Sequence, residues 1–288
     1  MKRVVVGIPA SYDKDQNLET TSTIEYLKYL KEKAVHTVMT TAGTSHFNLL
    51  SIEEIHTLNK TVVENFDGNK IIGIPALSII HAKKFIEIAN NYIDENTNLM
   101  LLYPERFYSE KEIINYMCIL RECTKNKIYI HGKTIRNAAG GVWDYNHKTI
   151  NTLFDLGVLK GIKEEHSNLS KSYDFVSNLD NRIDVIVAGG SMRRFEFLKS
   201  AGANSFLSGV GNLFPHVEKE YLDSGSLSSL EKEKKMFNIF MEFGWHKSLR
   251  IALKYLGLTC FYDREPWPQV KQSEEQKIIN IIEEIKNE

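Results

Sequence analysis

The chain has 288 residues, 42% of them hydrophobic and 25% charged, and its formal net charge is −1. This composition is ordinary for a globular protein, and the near-zero charge gives no general attraction to nucleic acid or to a membrane surface. No apolar run approaches the roughly 20 residues that cross a bilayer, and the run at the N-terminus is too short for a signal peptide.

Short, apolar, β-rich runs alternate with longer helical patterns over most of the chain. The runs predict strands over 3–9, 36–43, 70–76, 98–104, 127–132, 159–163, 184–190 and 204–209. The segments between them predict helices over 20–33, 52–65, 79–92, 110–124, 147–156, 169–178, 191–201 and 212–222. Eight such units predict an α/β fold, the (β/α)8 TIM barrel. A doubly wound open sheet is disfavoured, because the turn after the first strand, GIPASYD, lacks a phosphate-binding glycine pattern.

The alternation stops near residue 225. Residues 228–257 read as two helices separated near Gly244, and residues 272–288 as a third helix with a one-sided stripe of isoleucines. We therefore expect residues 1–225 to form the barrel that carries the active site, and residues 226–288 to form a C-terminal helical extension.

Helix boundaries carry residues typical of caps. Ser51, Ser109 and Thr149 each precede or open a predicted helix, and Ser109 is followed three residues later by glutamate. Gly157 follows an apolar pattern of helical spacing and is expected to terminate that helix.

The stretch LKGIKEEH, residues 159–166, places Lys163 at the end of the sixth predicted strand. Lysine is seldom buried unless it is paired or used chemically. The alternative is that Lys163 simply emerges into solvent where its strand ends. In a barrel, however, reacting groups gather at the carboxyl ends of the strands, which makes Lys163 a candidate catalytic residue.

The ends of the other predicted strands supply further candidates. Thr44, Ser45 and His46 follow the second strand, and His131 ends the fifth, with Tyr129 on the same face by period-two alternation. Glycine and serine residues end the seventh and eighth strands, at Gly189, Gly190, Ser191, Ser208 and Gly209. Each feature alone also suits an ordinary turn or a structural histidine.

Together these residues predict one kind of chemistry. Burial disfavours the ammonium form of lysine, and the resulting amine is a nucleophile towards a ketone. The product is a Schiff base, which acts as an electron sink for making or breaking an adjacent carbon–carbon bond. The hydroxyl groups of Thr44 and Ser45 would hold the carboxylate of a 2-oxo acid, and an acid/base group would move protons.

Several segments, in this order, resemble the dihydrodipicolinate synthase / N-acetylneuraminate lyase family, the pyruvate-dependent class I aldolases. They are VVVGIPASYD, TAGTSHFNLLSIEE, LMLLYPERFYSEKEIINYM, LKGIKEEHSN, IVAGGSMRRFEFLKSAGANSFLSGVGN and LGLTCFYDREPWP. The resemblance implies that Lys163 forms the Schiff base and that Thr44 and Ser45 bind the 2-oxo acid carboxylate. It also implies that the loops after strands seven and eight face the substrate at Gly189, Ser191, Leu207 and Ser208.

The sequence departs from the family at the strand-five residue. The family usually has a tyrosine there as general acid/base, whereas YIHGKTIRN offers His131, or Tyr129 after a shift of one or two residues. We take His131 as the first candidate for proton transfer, Glu165, two residues after Lys163, as the second, and His46 as the third.

Other family positions differ as well. The glycine–glutamate pair of the second motif is replaced by His46 and Phe47, and the strand-four tyrosines by residues around Glu105 and Arg106, with Tyr108 close by. Lys133 or Arg136 could take the place of the arginine that binds the second substrate.

The sequence therefore predicts a Schiff-base lyase or aldolase that joins or cleaves pyruvate, or a related 2-oxo acid, with an aldehyde, imine or sugar-acid partner. The alternatives are a non-catalytic barrel that binds a keto acid or sugar acid, and a sugar-acid dehydratase of the same family. The resemblance implies a homo-oligomer, usually a tetramer, with no metal or other cofactor. Cys118, Cys123 and Cys260 lack metal-ligand spacing, and their odd number suits a reducing cytoplasm.

Overall fold

The computed structural model describes residues 3–102, 106–107, 109–132, 135–137, 142–143, 145–259, 262, 264–267 and 271–288, with backbone alone at 106–107, 135–137 and 142–143. Its eight main strands are β1 (Arg3–Gly7), β2 (Thr37–Met39), β3 (Asn69–Ile74), β4 (Thr97–Leu101), β5 (Ile128–Gly132), β6 (Leu159–Glu164), β7 (Asp184–Val187) and β8 (Ser205–Leu207). All eight lie within or next to the predicted runs.

The eight strands form a closed parallel barrel, hydrogen-bonded in the order β1-β8-β7-β6-β5-β4-β3-β2. The predicted TIM barrel is confirmed. In the ladder, Lys163 of β6 lies beside His131 of β5 on one side and Ile186 of β7 on the other. The strands end earlier than predicted where β-branched residues such as Thr40 and Thr41 continue into the following turn.

Helices follow the strands as predicted. They are α1 (Thr21–Glu32), α2 (Ile52–Asn65), α3 (Ile79–Ala89), α4 (Glu110–Glu122), α5 (His147–Asp155), α6 (Leu169–Ser177), α7 (Ser191–Leu198), α8 (Pro215–Ser224), α9 (Leu227–Phe243), α10 (Trp245–Tyr255) and α11 (Gln272–Asn287). No helix in the described part of the chain is long and apolar enough to cross a membrane.

The helix caps match the sequence at three of four positions. Ser51 forms a capping box with Glu54, and the Ser109 side chain accepts from a backbone N–H of α4. Gly157 ends α5 with a φ of +69°. The N-cap of α5 is Asn146 and not Thr149, whose backbone N–H donates to the Asn146 side chain at 2.8 Å.

By internal contacts the chain divides into two compact units, Met1–Val5 with Asn69–Leu207, and Val6–Gly68 with Ser208–Glu288. In the second unit α9, α10 and α11 pack on one another, and α11 buries the predicted stripe through Ile278, Ile281, Ile282 and Ile285. The division of the chain at residue 225 into barrel and extension stays a prediction.

Inside the first unit, packing at the amino ends of β1, β5 and β7 is tight around Gly161 of β6. A Cβ atom at Gly161 would lie 2.2 Å from the backbone oxygen of Asp184 and 2.6 Å from the ring of Tyr129. The Tyr129 hydroxyl donates to the Asp184 carboxylate and lies 3.1 Å from a guanidinium nitrogen of Arg3, which also pairs with Asp184. A side chain at position 161 has no space.

The structure also contains two small sheets, separate from the barrel sheet, whose short strands were not predicted from the sequence. Ser11–Tyr12 pairs with Leu18–Glu19 in an antiparallel hairpin. Ile135–Asn137 pairs in parallel with Arg106–Phe107 and antiparallel with Val142–Trp143. Strands of two or three residues are too short to show the alternation on which the strand prediction depends.

Candidate active site

Lys163 is the second-last residue of β6. Strand alternation puts its side chain on the same face as Gly161 and as Glu165, the first residue past the strand end. The residue is buried, with only 4% of its surface exposed. The alternative that Lys163 emerges into solvent at the strand end is therefore wrong.

The carboxylate of Glu165 joins Lys163 and His131 into one group. Nζ of Lys163 lies 3.4 Å from Oε2 of Glu165, and Nε2 of His131 lies 2.6 Å from the same oxygen. When Glu165 is ionised it only accepts hydrogen bonds, and Nε2 of His131 is then the donor in this contact. His131 is buried like Lys163, whereas the Glu165 side chain is 30% exposed and connects the group to solvent.

The loop after β7 approaches this group through Gly189. Its φ is +72°, and a Cβ atom there would lie 3.4 Å from Cγ of Glu165. Ser191, also with a positive φ of 48°, is the buried first residue of α7. Leu207 is the last residue of β8. The Gly189 loop therefore lies beside Glu165, and its role in facing the substrate stays a prediction.

Glu164 points to the opposite face of β6 from Lys163 and is completely buried. Its Oε1 accepts from the backbone N–H of His166 at 2.8 Å and lies 2.9 Å from Nδ1 of the same residue. The guanidinium of Arg194 lies 3.1 and 3.2 Å from the two carboxylate oxygens and donates to the His166 carbonyl at 2.6 Å. This network holds the segment that carries Glu165.

The network also sets the charge of Glu164. Burial alone would raise the pKa of its carboxyl group, but the hydrogen bonds from His166 and the charge of Arg194 outweigh burial and hold the pKa below its usual value. Glu164 was not singled out from the sequence, because its main partner, Arg194, lies thirty residues away on α7.

The turn after β2, in the second unit, carries the hydroxyl groups of Thr44 and Ser45, and the two have different surroundings. Oγ of Ser45 donates to the backbone oxygen of Ile8 at 2.5 Å and accepts from the backbone N–H of Thr41 at 2.9 Å. Thr44 packs against Gly7, where a Cβ atom would lie 2.9 Å from its methyl group. Ser45 is therefore used within the protein, and of the two hydroxyls that of Thr44 is the better suited to a ligand.

Ser208 follows β8 and is buried in the second unit. Its hydroxyl forms no hydrogen bond within the part of the chain that the structure describes. A buried hydroxyl without a partner costs free energy, so a polar ligand atom is a reasonable complement to it.

His46 belongs to an aromatic cluster in the second unit. Its ring centroid lies 4.6 Å from that of Trp267, 6.1 Å from that of Tyr12 and 6.2 Å from that of His246. Burial, followed by the positive charges of Arg250 and His246, lowers the pKa of His46 well below its usual value. This ring is neutral at pH 7, and its surroundings are those of a packed core residue.

Tyr129 directs its hydroxyl towards Arg3 and Asp184 at the amino ends of the strands, away from the carboxyl end where Lys163 lies. Burial, followed by the charge of Asp184, raises its pKa well above the usual value, so the hydroxyl stays protonated. Between the two strand-five candidates, the geometry favours His131 for proton transfer.

Other residues named from the sequence lie outside the described residues. These are Glu105, Tyr108, Lys133 and Cys260, together with the side chains of Arg106 and Arg136.

The whole chain is similar to one family of known proteins. The sequence model of the dihydrodipicolinate synthetase family matches residues 1–285. A DapA-like lyase from Thermofilum pendens is 21% identical, over 95% of this chain and 94% of its own length.

Solved structures share the fold over almost the full length. The 4-hydroxy-tetrahydrodipicolinate synthase of Methylacidiphilum fumariolicum has a TM-score of 0.80 at 17% identity, covering 100% of this chain and 96% of its own. The N-acetylneuraminate lyase of Proteus mirabilis has a TM-score of 0.82 at 12% identity, covering 99% and 98%.

Proposed function

The chain belongs to the dihydrodipicolinate synthetase family, and from that membership we propose that it is a class I lyase that forms a Schiff base between Lys163 and a 2-oxo acid. Pyruvate is the proposed 2-oxo acid, and an aldehyde, imine or sugar acid is its partner. The observation that carries the proposal is a buried lysine at a strand end, in contact with the Glu165–His131 pair. Such a pair is suited to move protons beside an amine nucleophile.

The proposed reaction begins when the amine of Lys163 adds to the C2 carbonyl of pyruvate. Loss of water leaves an iminium ion, which withdraws electrons from the adjacent methyl group. The methyl group gives a proton to the base and becomes an enamine carbon, which adds to the carbonyl or imine carbon of the partner. The partner's oxygen or nitrogen takes a proton, and hydrolysis of the iminium frees Lys163. Cleavage follows the same steps in reverse.

Each step needs a proton acceptor or donor near Nζ of Lys163. Glu165 is placed to accept a proton from the ammonium group, since its Oε2 lies 3.4 Å from Nζ. His131 shares the same oxygen and has a side chain whose usual pKa, about 6.5, suits proton transfer near neutral pH. Thr44 is the proposed donor to the substrate carboxylate. The iminium ion serves as the electrophile, so the proposal calls for no metal.

Reductive trapping tests this function. Incubation with pyruvate and borohydride should add one pyruvate-derived 1-carboxyethyl group per chain, on the peptide that contains Lys163, because hydride reduces the iminium ion. Lys163→Ala should fold as the wild type does, by circular dichroism, and remain unlabelled. Lys160→Gln is the matched control, because it removes a lysine three residues away and should be labelled normally. Labelling at Lys160, or none in the wild type, would contradict the assignment.

A further inference from the structure

A cavity lies at the other end of the strands that carry Lys163 and His131. Its volume is about 450 Å³, and its charged lining consists of Arg3, Arg121, Lys127, Lys160, Arg182 and Asp184. All six belong to the first unit of the chain. Lys160 is at the start of β6 and Lys163 near its end, so about 10 Å of strand separates them at ~3.3 Å per residue. We call this space the amino-end cavity.

The lining of the amino-end cavity has five basic side chains and one acidic side chain. The single carboxylate, Asp184, is already paired with Arg3 and accepts from the Tyr129 hydroxyl. Arg182 pairs with Asp180, at 2.7 Å, outside the cavity. The charge of the lining is therefore strongly positive, although the whole chain has a net charge of −1.

Three of the basic groups have no carboxylate partner within ion-pair distance among the residues that the structure describes: Arg121, Lys127 and Lys160. Arg121 donates to the backbone oxygens of Thr124 and Gly157. Nζ of Lys160 lies 3.5 Å from the side-chain oxygen of Asn98 and 5.6 Å from the centre of the Tyr129 ring. These partners are neutral and form no ion pair with the basic groups.

The pKa of Lys160, the half-buried member of the cluster, reflects both its burial and its charged neighbours. Burial lowers the pKa of Lys160 below its usual value, and the positive charges of Arg3 and Lys127 lower it further, whereas the carboxylate of Asp184 offsets part of this effect. An anion between these groups would relieve the repulsion and accept charge-assisted hydrogen bonds from ammonium and guanidinium donors. The apolar side chains of Phe154 and Val158 supply a wall for the carbon part of such a molecule.

We propose that the amino-end cavity binds a small multivalent anion, a phosphorylated or polycarboxylic metabolite, independently of the site at Lys163. Phosphate and carboxylate groups share the chemistry that these donors recognise, which is a compact cluster of oxygen atoms with more than one negative charge. The cavity is large enough for a small metabolite and is partly open to solvent through Lys127 and Arg182, which are exposed.

Isothermal titration of the full-length protein with pyrophosphate, and separately with citrate, tests the proposal. We expect saturable binding of one anion per chain by at least one of the two probes, weakened as sodium chloride is raised. Tighter binding of pyrophosphate identifies a phosphate site, and tighter binding of citrate a polycarboxylate site. Absence of saturable binding by both probes would overturn the proposal.

Substitutions locate the bound anion. Lys127→Gln and Lys160→Gln should each raise the dissociation constant at least about tenfold, since each removes a charged donor. Lys84→Gln, at an exposed lysine on α3, should leave it unchanged. Lys163→Ala should also leave it unchanged, which separates this proposal from the proposed lyase activity. Unaltered binding in the Lys127→Gln/Lys160→Gln double variant, or loss of binding in Lys163→Ala, would place the anion elsewhere and refute the site.

Discussion

Glu165 is the residue on which the proposed chemistry converges, because one of its oxygens contacts both Lys163 and His131. From the sequence, His131 and Glu165 were competing candidates for proton transfer. The structure places them as partners within one group. A carboxylate that accepts a hydrogen bond from a histidine orients the imidazole ring and stabilises its protonated form. Both effects favour the use of a histidine as an acid/base.

The role of His131 can be separated from that of the nucleophile. We expect His131→Ala to retain trapping of pyruvate on Lys163 but to lower turnover by roughly 10²–10⁴-fold, the usual contribution of a general acid/base. Steady-state kinetics and borohydride labelling of the same preparation measure the two effects. Tyr129→Phe is the control, since its hydroxyl is engaged at the amino ends of the strands. Near-normal turnover in His131→Ala, with collapse in Tyr129→Phe, would move the role to the tyrosine.

The two hydroxyl residues after β2 should respond differently to substitution. Thr44→Val keeps the shape that packs on Gly7 but removes the proposed donor to the substrate carboxylate, so KM for pyruvate should rise about tenfold or more. The free energy of unfolding should change little. Denaturant unfolding and initial-rate kinetics would check both statements.

Ser45→Ala is the matched variant one residue away. It leaves the backbone N–H of Thr41 and the oxygen of Ile8 without their side-chain partner. We expect a loss of about 1–3 kcal/mol in the free energy of unfolding, the cost of unsatisfied buried groups. A large rise in KM with unchanged stability would show that Ser45, and not only Thr44, contacts the substrate.

At the scale of elements, β6 uses both of its faces. Lys163 projects to one face, towards Glu165 just past the end of the strand, and Glu164 projects to the other, towards His166 and Arg194. Replacing Glu164 by glutamine leaves the largely buried guanidinium of Arg194 uncompensated, so Glu164→Gln should lower the free energy of unfolding by about 3–5 kcal/mol. Adding Arg194→Met should recover part of the loss, because it removes the unpaired charge.

The same network predicts a dependence of stability on pH. Folding lowers the pKa of the Glu164 carboxyl group, so its contribution is fully present above the unfolded value of about 4.3 and is lost as pH falls through the lower folded value. Urea unfolding of the wild type and of Glu164→Gln across this range should show their difference in stability shrinking as pH falls. A difference independent of pH would mean that the carboxylate charge is not what stabilises the segment.

The helices and the barrel strands were predictable because each shows a local pattern. The amphipathic spacing of α2 and α11 and the apolar runs of β3 and β6 are properties of a few adjacent residues. The cap of α5 was misassigned to Thr149 because both asparagine and threonine suit the start of a helix, and only the backbone conformation of Asn146 selects it. The short strand pairs have only two or three residues a strand, too few to show the alternation on which a strand prediction depends.

At the scale of the whole molecule, the order of strands and helices was enough to predict the barrel, because few topologies accommodate eight successive β–α units. The carboxyl ends of the predicted strands then indicated the candidate site residues. What could not be predicted is which side chains meet. The 2.6 Å contact of His131 with Glu165 depends on the register of β5 against β6, and the sharing of Asp184 by Arg3 and Tyr129 depends on closure of the barrel.

Assembly is a prediction for the whole molecule that follows from the family resemblance. We propose a homo-oligomer, most simply a tetramer. Light scattering coupled to gel filtration should give a mass that is a multiple of the 33.1 kDa chain, and four times that mass for the tetramer. A mass of one chain at the concentration used for activity assays would contradict the proposal.

In the motif GIK, residues 161–163, the glycine and the lysine are required for different reasons. The glycine is fixed by the space between Asp184 and Tyr129, which has nothing to do with a substrate. A descendant that lost its chemistry but kept its barrel would therefore keep the glycine and be free to replace Lys163. In a search for distant catalytic relatives, the glycine alone therefore identifies the packing of the barrel, and under the proposed function it is the lysine two residues later, with glutamate two residues beyond it, that an active enzyme would keep.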